Sequence, residues 1–225
     1  MNLFLLDYET TGFNPYHNDV IEVAIKKYGE SEYFQTLIKP VVDPTKPRAG
    51  GIHKLVPDKI VGITGITDEM LIEEGIHPVT STTSTLDYIY QNSSKDKNPI
   101  YLIAHNGTVF DFIFLKRLMK EAKVGVNSHR FGGDYEKIYK MTKRFRYIDT
   151  CLLARMYMRD ERVSQPLLCK KYDIVNNSEH RALGDIHALE QLYPILCSKV
   201  STLLGKKESW LLDNPNKIID TLMIG

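Results

Sequence analysis

The 225-residue chain has only three cysteines, Cys151, Cys169 and Cys197, and their odd number and scattered spacing offer no disulfide framework. Each sits in an apolar, helix-like context, so buried, reduced thiols are expected, and with them an intracellular, reducing compartment such as cytoplasm or nucleus. Net charge is also nearly missing: 29 Lys and Arg oppose 28 Asp and Glu, leaving +1. Overall charge therefore neither demands nor excludes a polyanionic partner, and any positive surface has to be local. No apolar run is long enough to span a membrane. The N-terminal run lacks a basic flank and a small-residue cleavage site, and Asp7 interrupts it, so a strand is expected there and not a signal peptide. Internal repeats, low-complexity tracts and a convincing domain boundary are absent too. The length then suits one full-sized domain with a large core.

What is present begins with Asn2-Leu3-Phe4-Leu5-Leu6-Asp7-Tyr8-Glu9, running into Thr10-Thr11-Gly12. A near-continuous apolar run of this length reads as a strand buried on both faces. Residues two apart on a strand point the same way, so Asp7 and Glu9 project side by side from one face. Their repulsion and desolvation cost several kcal/mol unless a cation sits between them. The alternative is a strand end breaking surface, its acids merely solvated.

Two further strands follow a turn at Phe13-Asn14-Pro15: Val20 to Ile25 and Tyr33 to Ile38, with Gly29-Glu30 marking a hairpin between them. Together these start a mixed sheet. A long connection from Pro40 to Ile66, rich in Pro and Gly and holding His53, has the length of a functional or surface-wrapping segment. Thr67 is placed to cap a short helix that has Asp68 and Glu69 in its first turn. A second helix is expected from about Val79 to Tyr90, ending in a polar loop, Asn92 to Asn98.

A fourth strand ends near Ala104, and Asn106 is suited to cap a helix running to about Lys120. On that helix Asp111, Phe114, Leu115, Leu118 and Ala122 share one face. Asp111 thus heads an inward, apolar row, where an unpaired carboxylate is costly; an Arg or a backbone cap can also satisfy such a residue. His105 reads either as a hydrogen-bonded strand-end residue or as part of a site. Further on, Asp185, Ala188, Leu189, Leu192 and Leu196 form another apolar stripe carrying one acid. His180 lies five residues before Asp185, about 140° away on a regular helix, so it reaches a common site only from the loop before the helix or a distorted first turn. That placement favours a mobile histidine suited to proton transfer. His187 is expected to be exposed or at the core edge.

The sets Asp7-Tyr8-Glu9-Thr10-Thr11-Gly12, His105-Asn106 with Phe110-Asp111, and His180-Arg181-Ala182 with Asp185 resemble the three motifs of the DEDDh exonucleases. Gly65-Ile66-Thr67-Asp68-Glu69-Met70 and Ile148-Asp149-Thr150 extend the similarity over most of the chain. The resemblance implies an α/β, ribonuclease H-like fold: a mixed five-stranded sheet flanked by helices, with the acids at its strand ends. It implies a 3′→5′ exonuclease that releases nucleoside 5′-monophosphates from single-stranded or frayed DNA, using two divalent ions, Mg²⁺ or Mn²⁺. By the family's pattern Asp7 bridges both ions, Glu9 and Asp185 hold the nucleophile-side ion, Asp111 helps position it, and His180 takes the proton from the attacking water. Thr10, Thr11 and Gly12 would receive the 3′ end, with Phe13 as a wedge under the terminal base and His105 and Asn106 beside it. RNA is the alternative substrate, since no residue visibly reads a 2′-hydroxyl. A non-catalytic nucleic-acid-binding module is the third reading, against which the intact acid set argues.

Two features depart from the pattern. Thr64 stands where the family often has His. The segment from about Lys123 to Arg146 exceeds the minimal fold and carries clustered positive charge. In it Tyr135, Ile138, Met141 or Thr142, and Phe145 have helical spacing for an apolar stripe, while Lys137, Lys140 and Arg144 fall on another side, with Arg130, Lys143 and Arg146 nearby. This segment is expected either to grip the substrate backbone, with Tyr139 or Phe131 for stacking, or to be a solvated helix face. Residues from about 205 to 225 are expected to form a C-terminal extension of a single exonuclease domain, and nothing in the sequence indicates a polymerase partner or an oligomeric state.

Overall fold

The structure, a computed structural model, describes residues 1–41, 55–122, 124 and 135–222. His53, Lys123, Arg130 and Phe131 lie outside the described residues. Five strands, β1 (Leu3–Thr10), β2 (Val20–Lys27), β3 (Tyr33–Leu37), β4 (Ile100–Ala104) and β5 (Phe145–Asp149), form one sheet in the order β3-β2-β1-β4-β5. β1 pairs antiparallel with β2, and β2 with β3, while β1, β4 and β5 run parallel. The expected mixed sheet is thus observed, with the acid-bearing strand at its centre. A central strand must be covered on both faces, which is why its sequence is apolar at odd and even positions alike.

The two faces divide by the strand's alternation. Leu3 and Leu5 point into a core shared with Ile103, Ile148 and the apolar stripe Ile186, Leu189, Tyr193 and Leu196. That stripe belongs to α8 (Ala182–Leu203), which α6 (Thr150–Tyr157), α7 (Gln165–Lys171), α9 (Trp210–Asp213) and α10 (Pro215–Leu222) flank. Phe4, Leu6 and Tyr8 point the other way, into a core with Leu102, Phe114, Leu115 and Ile138. There α3 (Pro78–Asn92), α4 (Asp111–Glu121) and α5 (Tyr135–Thr142) cover the sheet. Each fully buried Leu, Ile or Phe contributes about 1.5–3 kcal/mol, so both faces are strongly held. By the same alternation Asp7 and Glu9 share a face with Leu3 and Leu5, towards α8.

The three cysteines are buried thiols on α6, α7 and α8, and none is in a disulfide. Thr67 caps α2 (Asp68–Glu73), accepting a hydrogen bond from the Met70 amide at 3.3 Å. Among the described residues no helix is long and apolar enough to cross a membrane.

Three elements differ from the sequence reading. The long connection contains a helix, α1 (Asp58–Thr64), whose β-branched residues and mid-helix Gly62 gave little helical signal. α4 starts at Asp111 and not at Asn106. Asn106 adopts a left-handed backbone, φ 62°, and its amide donates to Asp149 Oδ1 at 2.9 Å, so it forms the turn ahead of the helix and does not cap it. In the basic segment Ile138 and Met141 are buried as the spacing required, but Phe145 already belongs to β5.

Candidate active site

Three elements meet where β1 ends. β1 brings Asp7 and Glu9; α8 brings Asp185 in its first turn; α4 brings Asp111 as its first residue. Carboxylate oxygens of Asp7, Glu9 and Asp185 all lie within 4.8 Å of one another. Asp111 approaches from the opposite face of the sheet, around the strand end, and its Oδ1 accepts from the Tyr8 amide at 3.1 Å. One of its oxygens is therefore fixed against β1, and it stands outside the tight trio.

The acids pay for this closeness in proton affinity. Burial, then the charges of Asp111 and Glu9, hold Asp7 well above the ordinary carboxylate range. Burial and the Asp185 charge push Glu9 up to about 8. Burial raises Asp111 to about 8 and Asp185 to about 6. An all-oxygen donor set whose members resist ionisation beside one another fits a hard divalent cation, which would neutralise the charge they share.

His180 sits two residues ahead of α8, in a left-handed conformation with φ 61°. Its amide donates to Asp185 Oδ2 at 3.1 Å, and its side chain is 49% exposed. The five-residue spacing is thus accommodated by the loop position. Asp185 is further held by Asn176, whose Nδ2 donates to Oδ1 at 2.7 Å. Gly184 lets this turn close: a Cβ there would stand 2.3 Å from the Ser178 carbonyl oxygen.

Glu22 was not singled out from the sequence, and Arg181 was quoted only within the third motif, yet the two position this corner. Glu22 lies opposite Glu9 in the β1–β2 register and is fully buried. Its carboxylate accepts from Arg181 Nη2 at 2.7 Å, the Ala182 amide at 2.9 Å and Gln35 Nε2 at 2.9 Å. The start of α8 is thereby pinned to the sheet. The available signal was a lone acid within the apolar run Val20 to Ile25.

A cavity of about 330 Å³ opens over the acids, bounded by β1, α1 and α7. Phe13 stands on its rim, 85% exposed, its ring 6.2 Å from that of Phe110. Thr10 and Gly12 line it as well; the Thr10 hydroxyl donates to the Gly12 carbonyl at 2.7 Å. Thr11 is turned into the loop, where its hydroxyl accepts from the Asp19 amide at 2.9 Å. Ile60, Ile63 and Thr64 of α1 form the facing wall, a contribution hidden with that helix in the sequence. Thr64, in place of the family's frequent His, donates to the Ile60 carbonyl at 2.9 Å and accepts from the Ile66 amide at 3.1 Å.

His105 lies at the cavity's edge with both ring nitrogens engaged: Nε2 is 2.7 Å from the Val163 carbonyl oxygen and Nδ1 3.0 Å from the Thr150 hydroxyl. A carbonyl only accepts, so Nε2 carries the proton. Burial lowers its pKa, keeping the ring neutral. Asn106 borders a neighbouring groove. None of the described residues of the basic segment lines this cavity. Arg144 sits where β5 begins, at the far end of the parallel strands, and donates to the Asn98 and Ser94 carbonyls at 2.8 and 3.1 Å. Lys140 pairs with Glu136 at 2.7 Å, and neither it nor Lys137 lines the cavity. The Tyr139 ring is covered by Lys143, 4.5 Å from its centroid.

Comparison with known proteins agrees with this geometry. The family model described as RNase_T, exonuclease, matches residues 4–193. A DNA polymerase III of PolC type from Thermotoga petrophila is 27% identical over 192 residues, 84% of this chain but 11% of that protein's length. The DNA polymerase III epsilon subunit of Rickettsia typhi is 26% identical over 225 residues, 95% of this chain and 80% of the relative. Among solved structures, a zinc-bound complex of E. coli exonuclease I with single-stranded DNA superposes with a TM-score of 0.63, at 16% identity, over 96% of this chain and 43% of that one. The chain thus spans a small part of the PolC-type relatives and less than half of that solved exonuclease. The match runs from β1 through the middle of α8 and so takes in all four acids and the histidine: the chain belongs to the exonuclease family, of the DEDD type.

Proposed function

We propose that the chain is a metal-dependent 3′→5′ exonuclease that removes nucleoside 5′-monophosphates from single-stranded or frayed DNA ends, with His180 as general base. The observation that carries this is the convergence of Asp7, Glu9 and Asp185 within 4.8 Å at one strand end, beside an exposed histidine on a loop. Binding of a nucleic acid alone would not call for an acid cluster facing a polyanion. Asp7, Glu9 and Asp185 would hold two divalent ions, Mg²⁺ or Mn²⁺, with Asp111 alongside. When bound, such ions supply Lewis-acid polarisation of the phosphate and a lowered pKa for water.

The remaining roles fall to the protein's own groups. His180, tethered by its backbone amide to Asp185 and with its half-exposed ring 3.7 Å from the Glu179 carboxylate, takes the proton of the attacking water. The Glu22–Arg181 pair keeps that loop in reach of the trio. Phe13, exposed on the rim, stacks against the terminal base, and the backbone around Thr10 and Gly12 receives the 3′ end. Labelled DNA and RNA oligonucleotides of matched length, incubated with Mg²⁺, Mn²⁺ or EDTA and resolved on one gel, test this. Stepwise shortening from the 3′ end of DNA, lost in EDTA, is expected. RNA degraded faster than DNA would move the assignment to an exoribonuclease, and degradation undiminished by EDTA would remove the metal from it.

A further inference from the structure

A second concavity, about 750 Å³, adjoins the acid-bearing one, and the two share His105 and Gln165 on their walls. Its character is opposite. Arg155 stands in the last turn of α6, Arg159 and Arg162 follow in the loop towards α7, and all three are exposed along this groove. Among the described residues no carboxylate pairs with Arg159 or Arg162 at ion-pair distance. The acid on the groove wall, Glu161, is engaged by Lys171 at 2.8 Å. The groove therefore holds unneutralised positive charge in a chain whose net charge is only +1.

The boundary between the two concavities is built rather than incidental. His105 Nε2–H donates to the Val163 carbonyl, which fixes the loop carrying Arg159 and Arg162 relative to the end of β4. Gln165 Nε2 donates to the Asp185 carbonyl at 2.8 Å, tying the start of α7 to the helix that bears a site carboxylate. The polar rim of Asn106 and Ser164 and the exposed Leu167 complete a surface that offers charge, hydrogen bonds and an apolar contact along one line.

We infer that this groove binds the phosphodiester backbone of the substrate strand on the 5′ side of the nucleotide being removed, with Arg159 and Arg162 contacting successive phosphates. The inference rests on the exonuclease reading above and gives the strand its path away from the acids. Cations are needed there because a polyanion leaving an acid cluster otherwise meets no compensating charge. Guanidinium groups suit phosphate oxygens, which they grip through two parallel donors. Contacts to backbone alone do not read base sequence.

The test compares the full chain with its Arg159→Ala/Arg162→Ala and Arg159→Gln/Arg162→Gln forms. Binding of fluorescent oligothymidylates and oligouridylates, from dinucleotide to about twelve nucleotides, is followed by anisotropy with Ca²⁺ present, over a range of salt. At about 0.7 per phosphate contact, losing two contacts lowers the slope of log affinity against log salt by about 1.4. It weakens the longest strand about 25-fold at 0.1 M salt if the electrostatic part vanishes at 1 M. Affinity should rise with length for the parent and rise far less for both variants. Oligouridylate showing the same loss as oligothymidylate identifies backbone contact common to DNA and RNA; loss on one alone assigns the groove to that strand type. Parent-like slope and length dependence in either variant, folded by circular dichroism, overturns the inference. Hydrolysis of the p-nitrophenyl ester of thymidine 5′-monophosphate by the parent, a substrate too short to reach the groove, reports the exonuclease reading separately.

Discussion

Carboxylates crowded into a buried corner are costly to keep, and Asp7, Glu9 and Asp185 show the cost in their raised proton affinities. Asp7→Asn, Glu9→Gln and Asp185→Asn should each lower turnover by about 10²–10³-fold or more, as a missing charge-stabilising group does, measured with Mg²⁺ on a single-stranded oligonucleotide. The same Asp7→Asn protein should melt at a higher temperature than the parent in EDTA at pH 8, because one of the mutually repelling charges is gone. His180→Ala should lose about 10²–10⁴-fold in rate while its affinity for metal and oligonucleotide stays near that of the parent. A general base must be neutral, so the acidic limb of the parent's pH–rate profile should disappear in that variant; a limb that persists places the proton acceptor elsewhere. At this scale the site was largely legible: an acid inside an apolar strand, an acid heading an apolar helical row, and a histidine at a spacing that excluded a regular helical position. Glu22 carried the same signal, a charge within Val20 to Ile25, but its meaning depended on Arg181, 159 residues away, and spacing along the chain does not reveal such a partner.

Elements were less evenly legible than residues. The two-faced burial of β1 and the stripe of α8 followed from hydrophobic period alone, because each period maps onto one packing face. α1 did not, since Ile60, Val61, Gly62, Ile63 and Thr64 are poor helix formers, and the helix is held by Ile60 and Val61 packing on Ile21, Ile66 and Leu71. The start of α4 was displaced because Asp149, on a strand more than forty residues later, captures the amides of Asn106 and Thr108. The loop ahead of α8 depends on a similar long-range tie. Arg181→Ala leaves the buried Glu22 carboxylate without its cation and should destabilise the protein by about 3 kcal/mol in a denaturant melt. Glu22→Gln, which keeps the side chain's shape, should cost less stability. It should still lower kcat, because the loop holding His180 is no longer tied down by charge. If both variants keep parental kcat, the pair is a stabilising contact alone.

The whole molecule combines a neutral overall charge with a sharply divided surface, an acid-lined cavity beside an arginine-lined groove. That division sets its response to pH. Glu9, Asp111 and Asp185 have folded-state pKa values of about 8, about 8 and about 6. In an unfolded chain such groups titrate near 4. Without a cation the fold therefore holds more protons than the unfolded chain between those limits. The stability contributed by these acids is complete below about pH 4 and is lost as pH rises from there through 6 to 8. Differential scanning fluorimetry in EDTA should show this decline, and Mg²⁺ or Mn²⁺ should raise the melting temperature much more at pH 8 than at pH 5. A metal effect of equal size at both pH values would place the cation away from these acids. The central claim, that this corner hydrolyses phosphodiesters one at a time from a 3′-hydroxyl end, is tested most directly by product analysis. A linear single-stranded oligonucleotide with a free 3′-hydroxyl, its 3′-phosphorylated form and a circular single strand are each incubated with Mg²⁺. Chromatography should find nucleoside 5′-monophosphates from the first, little from the second and none from the third. Nicking of the circle, or oligonucleotide products from the linear strand, would contradict the account.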